Sequence, residues 1–108
     1  CALPIYFWNI LCRYGSLHDR AADVLFAGEK AVQLEPDNGD YKDTRGLARA
    51  LTGDIAGAIE DFQAALDSGA FDRDDPGNEK RQRWLEALQA GENPFTPEEL
   101  ARLREDEL

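Results

Sequence analysis

The chain has 108 residues, of which 43% are apolar, and this is enough for one globular domain with a modest core. Aspartate and glutamate number 22 against 12 lysines and arginines, so the formal net charge is -10. Because binding to nucleic acid depends on clustered lysine and arginine side chains, we expect no nucleic-acid partner. An acidic surface keeps a protein soluble and speeds the capture of a basic partner.

Residues 2–12 are strongly apolar. This stretch is shorter than the roughly 20 residues of a membrane span, and it lacks the basic flank and cleavage site of a signal peptide. We expect a core helix here and no membrane insertion. In such a helix Cys1 and Cys12 lie about 16 Å apart, which is too far for a disulfide. Since nothing in the sequence requires an oxidising compartment, we expect a cytoplasmic location.

Glycine and proline residues divide the chain into segments of helix length. A first helix is predicted over residues 4–14, because Pro4 suits a first helical position and Gly15 breaks the pattern. Ser16 is predicted to cap a second helix, which ends before Pro36. The first helix would then be short and the second long.

The next two helices are predicted on either side of Gly53. The third covers residues 39–52. In the fourth, apolar residues such as Ala58, Phe62 and Ala65 recur every three or four positions, with acidic side chains opposite. This is the clearest amphipathic pattern in the chain.

Two further helices are predicted near the end of the chain. The fifth covers residues 78–90, and the sixth has Thr96 as its N-cap and Pro97 at its first position. Phe95 and Leu100 suit a hydrophobic staple at its start. Because no useful stretch alternates between apolar and polar residues, we predict an all-α fold without strands.

The second helix pair resembles the tetratricopeptide repeat, a two-helix unit of about 34 residues. Gly46 matches the small residue of the family's first helix, and Gly53 matches the turn. Ala58, Phe62 and Ala65 match the small, aromatic and small residues of the second helix. Glycine and alanine at these positions let the helices approach closely, so the match predicts an antiparallel helix pair.

The first helix pair is similar to the same repeat but departs from its pattern. Trp8, Leu11, Ala31 and Pro36 stand at the spacing of the family's tryptophan, leucine, late alanine and terminal proline. Cys12 occupies the position where glycine is usual. This resemblance predicts a distorted first repeat.

The resemblance implies a short solenoid of about two stacked repeats. We expect a distorted repeat at residues 4–36, a clear repeat at 39–69, a capping helix at 77–91 and a terminal helix at 96–108. The ending of the chain is similar to the tail of bacterial repeat domains within larger proteins. Since the chain begins inside an apolar segment, we also expect further repeats upstream.

In this family the first helix of each pair lines a concave groove that binds a peptide or protein, without catalysis or a cofactor. Carried onto the clearer repeat, the groove positions are Asp40, Asp43, Leu47, Arg49, Ala50 and Leu51. These side chains combine an apolar floor with hydrogen-bonding groups. We therefore predict a protein-interaction module.

A second hypothesis is self-assembly through the N-terminal helix. Tyr6, Phe7 and Trp8 are adjacent, so one helix cannot bury all three rings against a single neighbour. They could pack on Trp84 or on the second helix, or they could leave an exposed surface that forms a homodimer.

Catalytic groups are sparse in the sequence. His18 is the only histidine, and no arrangement of serine, aspartate or cysteine can be placed beside it. Cys12 would need a cationic neighbour to act as a nucleophile, and we interpret it as a buried residue. We therefore predict that the chain is not an enzyme.

The acidic cluster of Asp72, Asp74 and Asp75 invites comparison with a calcium-binding loop. A loop starting at Asp72 would need a ligand at its fifth position and a glutamate at its twelfth, where this chain has Pro76 and Arg83. The pattern fails, and we predict a solvated loop and no metal site.

Overall fold

The computed structural model describes residues 4–68 and 76–107. The predicted acidic cluster at Asp72, Asp74 and Asp75, together with Cys1, lies outside these residues. The described residues form six α-helices and no strands, which confirms the all-α prediction. The helices are α1 (Ile5–Leu17), α2 (Ala21–Leu34), α3 (Gly39–Leu51), α4 (Ile55–Asp67), α5 (Pro76–Gln89) and α6 (Pro97–Glu107).

The first four helices repeat with a period of 34 residues. Helices α1 and α3 begin at residues 5 and 39, and helices α2 and α4 begin at residues 21 and 55. Turns at 18–20 and 52–54 join the helices of each pair, which pack against each other. Helix α3 also packs on both α1 and α2. These residues therefore form a short helical repeat of two stacked hairpins.

The predicted break at Gly15 is wrong, because α1 continues to Leu17. A Cβ atom at Gly15 would lie 2.7 Å from Cγ1 of Val24, so this glycine allows α2 to approach α1 closely. Ser16 is buried inside α1 and does not cap α2. The turn instead follows Leu17 and contains Asp19 with φ of 64°. The first pair is therefore as regular in length as the second.

Three of the helices are capped at the N-terminus by the side chain of the residue that precedes the first turn. Asn38, Asp54 and Thr96 each accept a hydrogen bond from the backbone N–H three residues later, at 3.2, 3.0 and 3.2 Å respectively. These caps satisfy backbone donors that lack partners within the helix. The predicted cap at Thr96 is confirmed. Gly53, with φ of 97°, makes the turn before Asp54.

Within each hairpin a glycine faces a larger side chain of the partner helix. In the second pair a Cβ atom at Gly46 would lie 3.2 Å from Cε1 of Phe62. In the first pair a Cβ atom at Gly28 would lie 2.7 Å from Sγ of Cys12. Residues 12 and 28 are each 34 positions before residues 46 and 62, so the small and large residues have exchanged helices. This exchange explains how Cys12 fits where the resemblance expects glycine.

The last two helices cover the repeat in different ways. Helix α5 packs against α4, whereas α6 turns back and lies against α1. The rings of Trp84, Phe62 and Phe95 meet beneath them, with centroids 4.9 to 5.9 Å apart. Trp84 is buried here and does not pack on the N-terminal aromatic residues, while Trp8 packs edge-on against Phe26 of α2.

Replacing Gly28 with alanine should lower the free energy of unfolding by about 1 kcal/mol, since overpacking against the Cys12 thiol outweighs the better helix propensity of alanine. In a Cys12→Ala background the same replacement should be neutral or stabilising. Urea denaturation followed by circular dichroism measures both effects. An equal effect in the two backgrounds would contradict the packing described here.

Candidate partner-binding surface

The predicted groove residues lie along α3, and most of them face the C-terminal helices. Asp43, Leu47 and Ala50 are buried, Asp40 is exposed, and Leu51 is partly buried against the main apolar cluster. The floor of the predicted groove is therefore covered by the chain itself in this structure.

The Asp43 carboxylate is the centre of an ion-pair cluster between three helices. Arg13 of α1 donates a hydrogen bond from Nη1 to its Oδ2 atom at 3.0 Å. Arg81 of α5 donates from Nε and Nη2 to the two carboxylate oxygens, at 2.8 and 2.9 Å. The Asp43 side chain is only 2% exposed, so these charged donors compensate its loss of hydration. Neither arginine was predicted from the sequence to contact Asp43, because the partners are distant in the chain.

Arg49 lies on another side of α3 and contacts α4. Its Nη1 atom donates to Oδ2 of Asp61 at 3.1 Å, and its Nε atom is 3.7 Å from Oδ2 of Asp54. Arg45 donates to both oxygens of buried Asp61 at 2.9 and 2.7 Å, and this hydrogen bonding raises the pKa of Arg45. Arg49 therefore joins the two helices of the hairpin, and its guanidinium is engaged within the repeat.

The C-terminal helices contribute side chains to the apolar cluster that buries Leu47 and Ala50. Leu100 and Leu103 of α6 belong to the same buried apolar cluster as Leu47, Ala50 and Leu17. The sequence contained a partial signal for this contact, since the two leucines are three residues apart and share one helix face. The sequence did not indicate that this face of α6 would pack against α1.

Two adjoining cavities lie beside the ion-pair cluster of Asp43. The first has a volume of about 190 Å³ and is lined by Asn9, Ile10, Arg13, Tyr14, Leu17, His18 and Arg104. The second has a volume of about 270 Å³ and is lined by Asn9, Arg13, Asp40, Tyr41, Asp43, Thr44 and Arg81. The two cavities share Asn9 and Arg13. One offers an apolar wall and the other a polar one, as in many peptide-binding sites.

The side chain of Asn9 stands between these cavities with an unused hydrogen-bonding group. Its Oδ1 atom is buried and accepts no hydrogen bond within the part of the chain that the structure describes. A buried carbonyl oxygen without a donor is costly, and a ligand N–H group could satisfy it. The sequence signal for this residue was its polar side chain inside the apolar stretch of residues 2–12.

A second surface is a row of large apolar side chains on α1, which extends the wall of the first cavity. Tyr6, Ile10 and Tyr14 follow one another at intervals of four residues, and their exposures are 60%, 54% and 54%. Phe7 and Phe26 are also exposed beside it. Exposed apolar side chains that form a continuous patch are typical of interaction surfaces.

The 34-residue period relates this face to a buried one. Thr44 and Ala48 of α3 are the equivalents of Ile10 and Tyr14, and both are buried. Ala48 belongs to the apolar cluster that also contains Cys12. The first hairpin thus buries Thr44 and Ala48 of α3, whereas Ile10 and Tyr14 at the equivalent positions of α1 are exposed.

The described residues offer little catalytic chemistry. His18 is exposed and its ring stacks on Tyr14, with centroids 4.5 Å apart. Burial raises the pKa of the Cys12 thiol to about 11, so this thiol is protonated at neutral pH. In residues 4–68 and 76–107 no three histidine, cysteine, aspartate or glutamate side chains are grouped as metal ligands would be.

A comparison with protein-family models, curated proteins and solved structures finds no match to this chain. The relation to the tetratricopeptide repeat therefore stays a prediction from residues. Within the described helices, none has both the length and the apolar character needed to cross a membrane.

Replacing Asp43 with alanine should lower the free energy of unfolding by about 3 kcal/mol, because it leaves the guanidinium groups of Arg13 and Arg81 without their buried carboxylate. The matched control is Asp40→Ala, which removes an exposed carboxylate from the same helix and should cost less than about 1 kcal/mol. Urea denaturation of both variants tests this. Equal losses would show that Asp43 has no special role.

Proposed function

We propose that this chain is a non-catalytic protein-interaction module of the tetratricopeptide type, which binds a peptide segment of a protein partner on its concave side. The 34-residue spacing of its first two hairpins supports this assignment, since that is the period of the tetratricopeptide repeat. A cytoplasmic location is part of the proposal. It is supported by Cys12, a free and buried thiol that a reducing compartment would preserve.

The observation that carries the proposal is the unpaired Oδ1 atom of Asn9, a residue that lines both cavities. A backbone N–H of an extended peptide can donate to its Oδ1 atom, which has no donor among the described residues. An apolar side chain of the peptide fits the first cavity beside Ile10, Tyr14 and Leu17. Of the groove residues predicted from the sequence, exposed Asp40 is placed to contact the peptide at the second cavity. In this arrangement Asp43 holds the site together.

The test is an Asn9→Leu variant, which removes the carboxamide. Because the change also removes an unpaired buried polar atom, the variant should remain folded. Peptides selected from a random displayed library for binding to the original chain should bind the variant at least tenfold more weakly, a loss of about 1.4 kcal/mol by isothermal titration calorimetry.

The matched control is Gln33→Leu, an identical type of change at an exposed position of α2. It should leave the affinity of the selected peptides unchanged. The proposal fails if no peptide is selected, or if the peptides bind the Asn9 variant as tightly as the original chain.

A second candidate function is self-association through the exposed apolar row of α1, which shares Ile10 and Tyr14 with the first cavity. It is favoured by the exposed row of Tyr6, Ile10 and Tyr14, of which Ile10 and Tyr14 have buried equivalents in α3. This row contains no charged residue, so two copies can approach there without bringing their acidic surfaces together.

Sedimentation equilibrium tests self-association. We expect a dimer at about 100 µM, which corresponds to an association free energy near 5 to 6 kcal/mol. Ile10→Glu should be monomeric at this concentration, whereas the control Ala22→Glu, at an exposed position of α2, should still dimerise. A monomeric original chain would exclude this function.

A further inference from the structure

Helix α6 is seated on the concave side much as a bound helix would be. Its Leu100 and Leu103 are buried in the apolar cluster that also contains Leu17, Leu47 and Ala50, the last two of which are predicted groove residues. The helix lies against α1 and adds apolar residues three positions apart to a cluster that it shares with α3, as amphipathic helices do when they bind a partner.

One directed polar contact accompanies these apolar ones. Arg104 donates a hydrogen bond from Nη1 to the backbone carbonyl oxygen of Leu17 at 2.6 Å. Leu17 is the last residue of α1, where carbonyl groups lack partners within the helix and carry partial negative charge. The cation therefore fixes the position of α6 along the groove.

The remaining side of α6 faces solvent. Glu98, Arg102 and Glu105 are exposed. Specific recognition by the groove therefore depends on Leu100, Leu103 and the cation after them.

Helix α6 is attached more loosely to the fold than the other helices. Among the described helices its backbone approaches only α1, whereas α1 to α5 each pack against a sequence neighbour. A linker at residues 90–96 connects it to α5 and contains Gly91 in the left-handed region, with φ of 83°. Movement of α6 about this linker would leave the backbone contacts among the five helices α1 to α5 intact.

From these contacts we propose that α6 is a displaceable internal ligand of the groove. The partner that replaces it is an amphipathic helix with two leucines three residues apart and a cation directly after the second. This inference goes beyond the proposed function: the groove under α6 is a second site, which takes a helix rather than an extended peptide, and α6 regulates access to it. A partner helix can bind only when α6 has left the groove. The apparent affinity for the partner is therefore lowered in proportion to the fraction of molecules whose groove is free.

Hydrogen exchange of the original chain tests the first step without any mutation. The amides of α6 should exchange at least tenfold faster than those of α3 and α4 under native conditions, because α6 opens on its own. If α6 exchanges only as slowly as α3, the helix is a fixed part of the fold and the inference is overturned.

A labelled peptide of residues 93–107 tests the second step. It should bind a Leu103→Glu chain, which cannot seat its own α6, at least tenfold more tightly than the original chain, as measured by fluorescence anisotropy. The matched control Arg102→Glu introduces the same side chain at an exposed position of α6 and should bind the peptide as the original chain does. A peptide that carries Leu103→Glu should bind neither protein.

Equal affinity for the original chain and the Leu103→Glu chain, or no binding to either, overturns the inference. If circular dichroism shows that Leu103→Glu is unfolded, the Arg104→Ala variant is used instead, because it removes the hydrogen bond to Leu17. This variant should bind the peptide at least threefold more tightly than the original chain. An unchanged affinity overturns the inference. The proposed function is judged separately, by the effect of Asn9→Leu on library peptides.

Discussion

A carboxylate that leaves water for a protein interior loses several kcal/mol of hydration free energy, unless charged donors replace the water. The buried side chain of Asp43 meets this constraint with Arg13 of α1 and Arg81 of α5. Because these arginines belong to the first hairpin and to the capping helix, one carboxylate sets how three helices lie relative to one another. All three members of this cluster line the second cavity beside Asn9, and Arg13 also lines the first.

Close packing between helices imposes the second constraint. Each hairpin needs one small residue where its helices approach most closely, but either helix can supply it. Gly46 supplies it on the first helix of one pair, and Gly28 supplies it on the second helix of the other. The exchange preserves the 34-residue geometry with different side chains, so Cys12 can be buried without distorting the repeat.

Most helix positions could be predicted from local patterns in the sequence. The amphipathic spacing in α4, the cap at Thr96 and the turn at Gly53 depend on neighbouring residues, and the structure agrees at each. The prediction failed at Gly15, because a glycine that breaks an isolated helix is accepted where another helix packs against it. Ser16 was misassigned for the same reason, since its position inside α1 is set by tertiary contacts.

The sequence by itself determined the fold class and an apolar face on α3, because helix periodicity and turn chemistry act over a few residues. Only the tertiary structure decided what covers that face. Burial of the Asn9 oxygen without a donor depends on the packing of helices around it. The return of α6 onto α1 and the arginines that hold Asp43 join residues distant in sequence. Such contacts depend on how whole helices pack, and a local pattern contains no record of the partner.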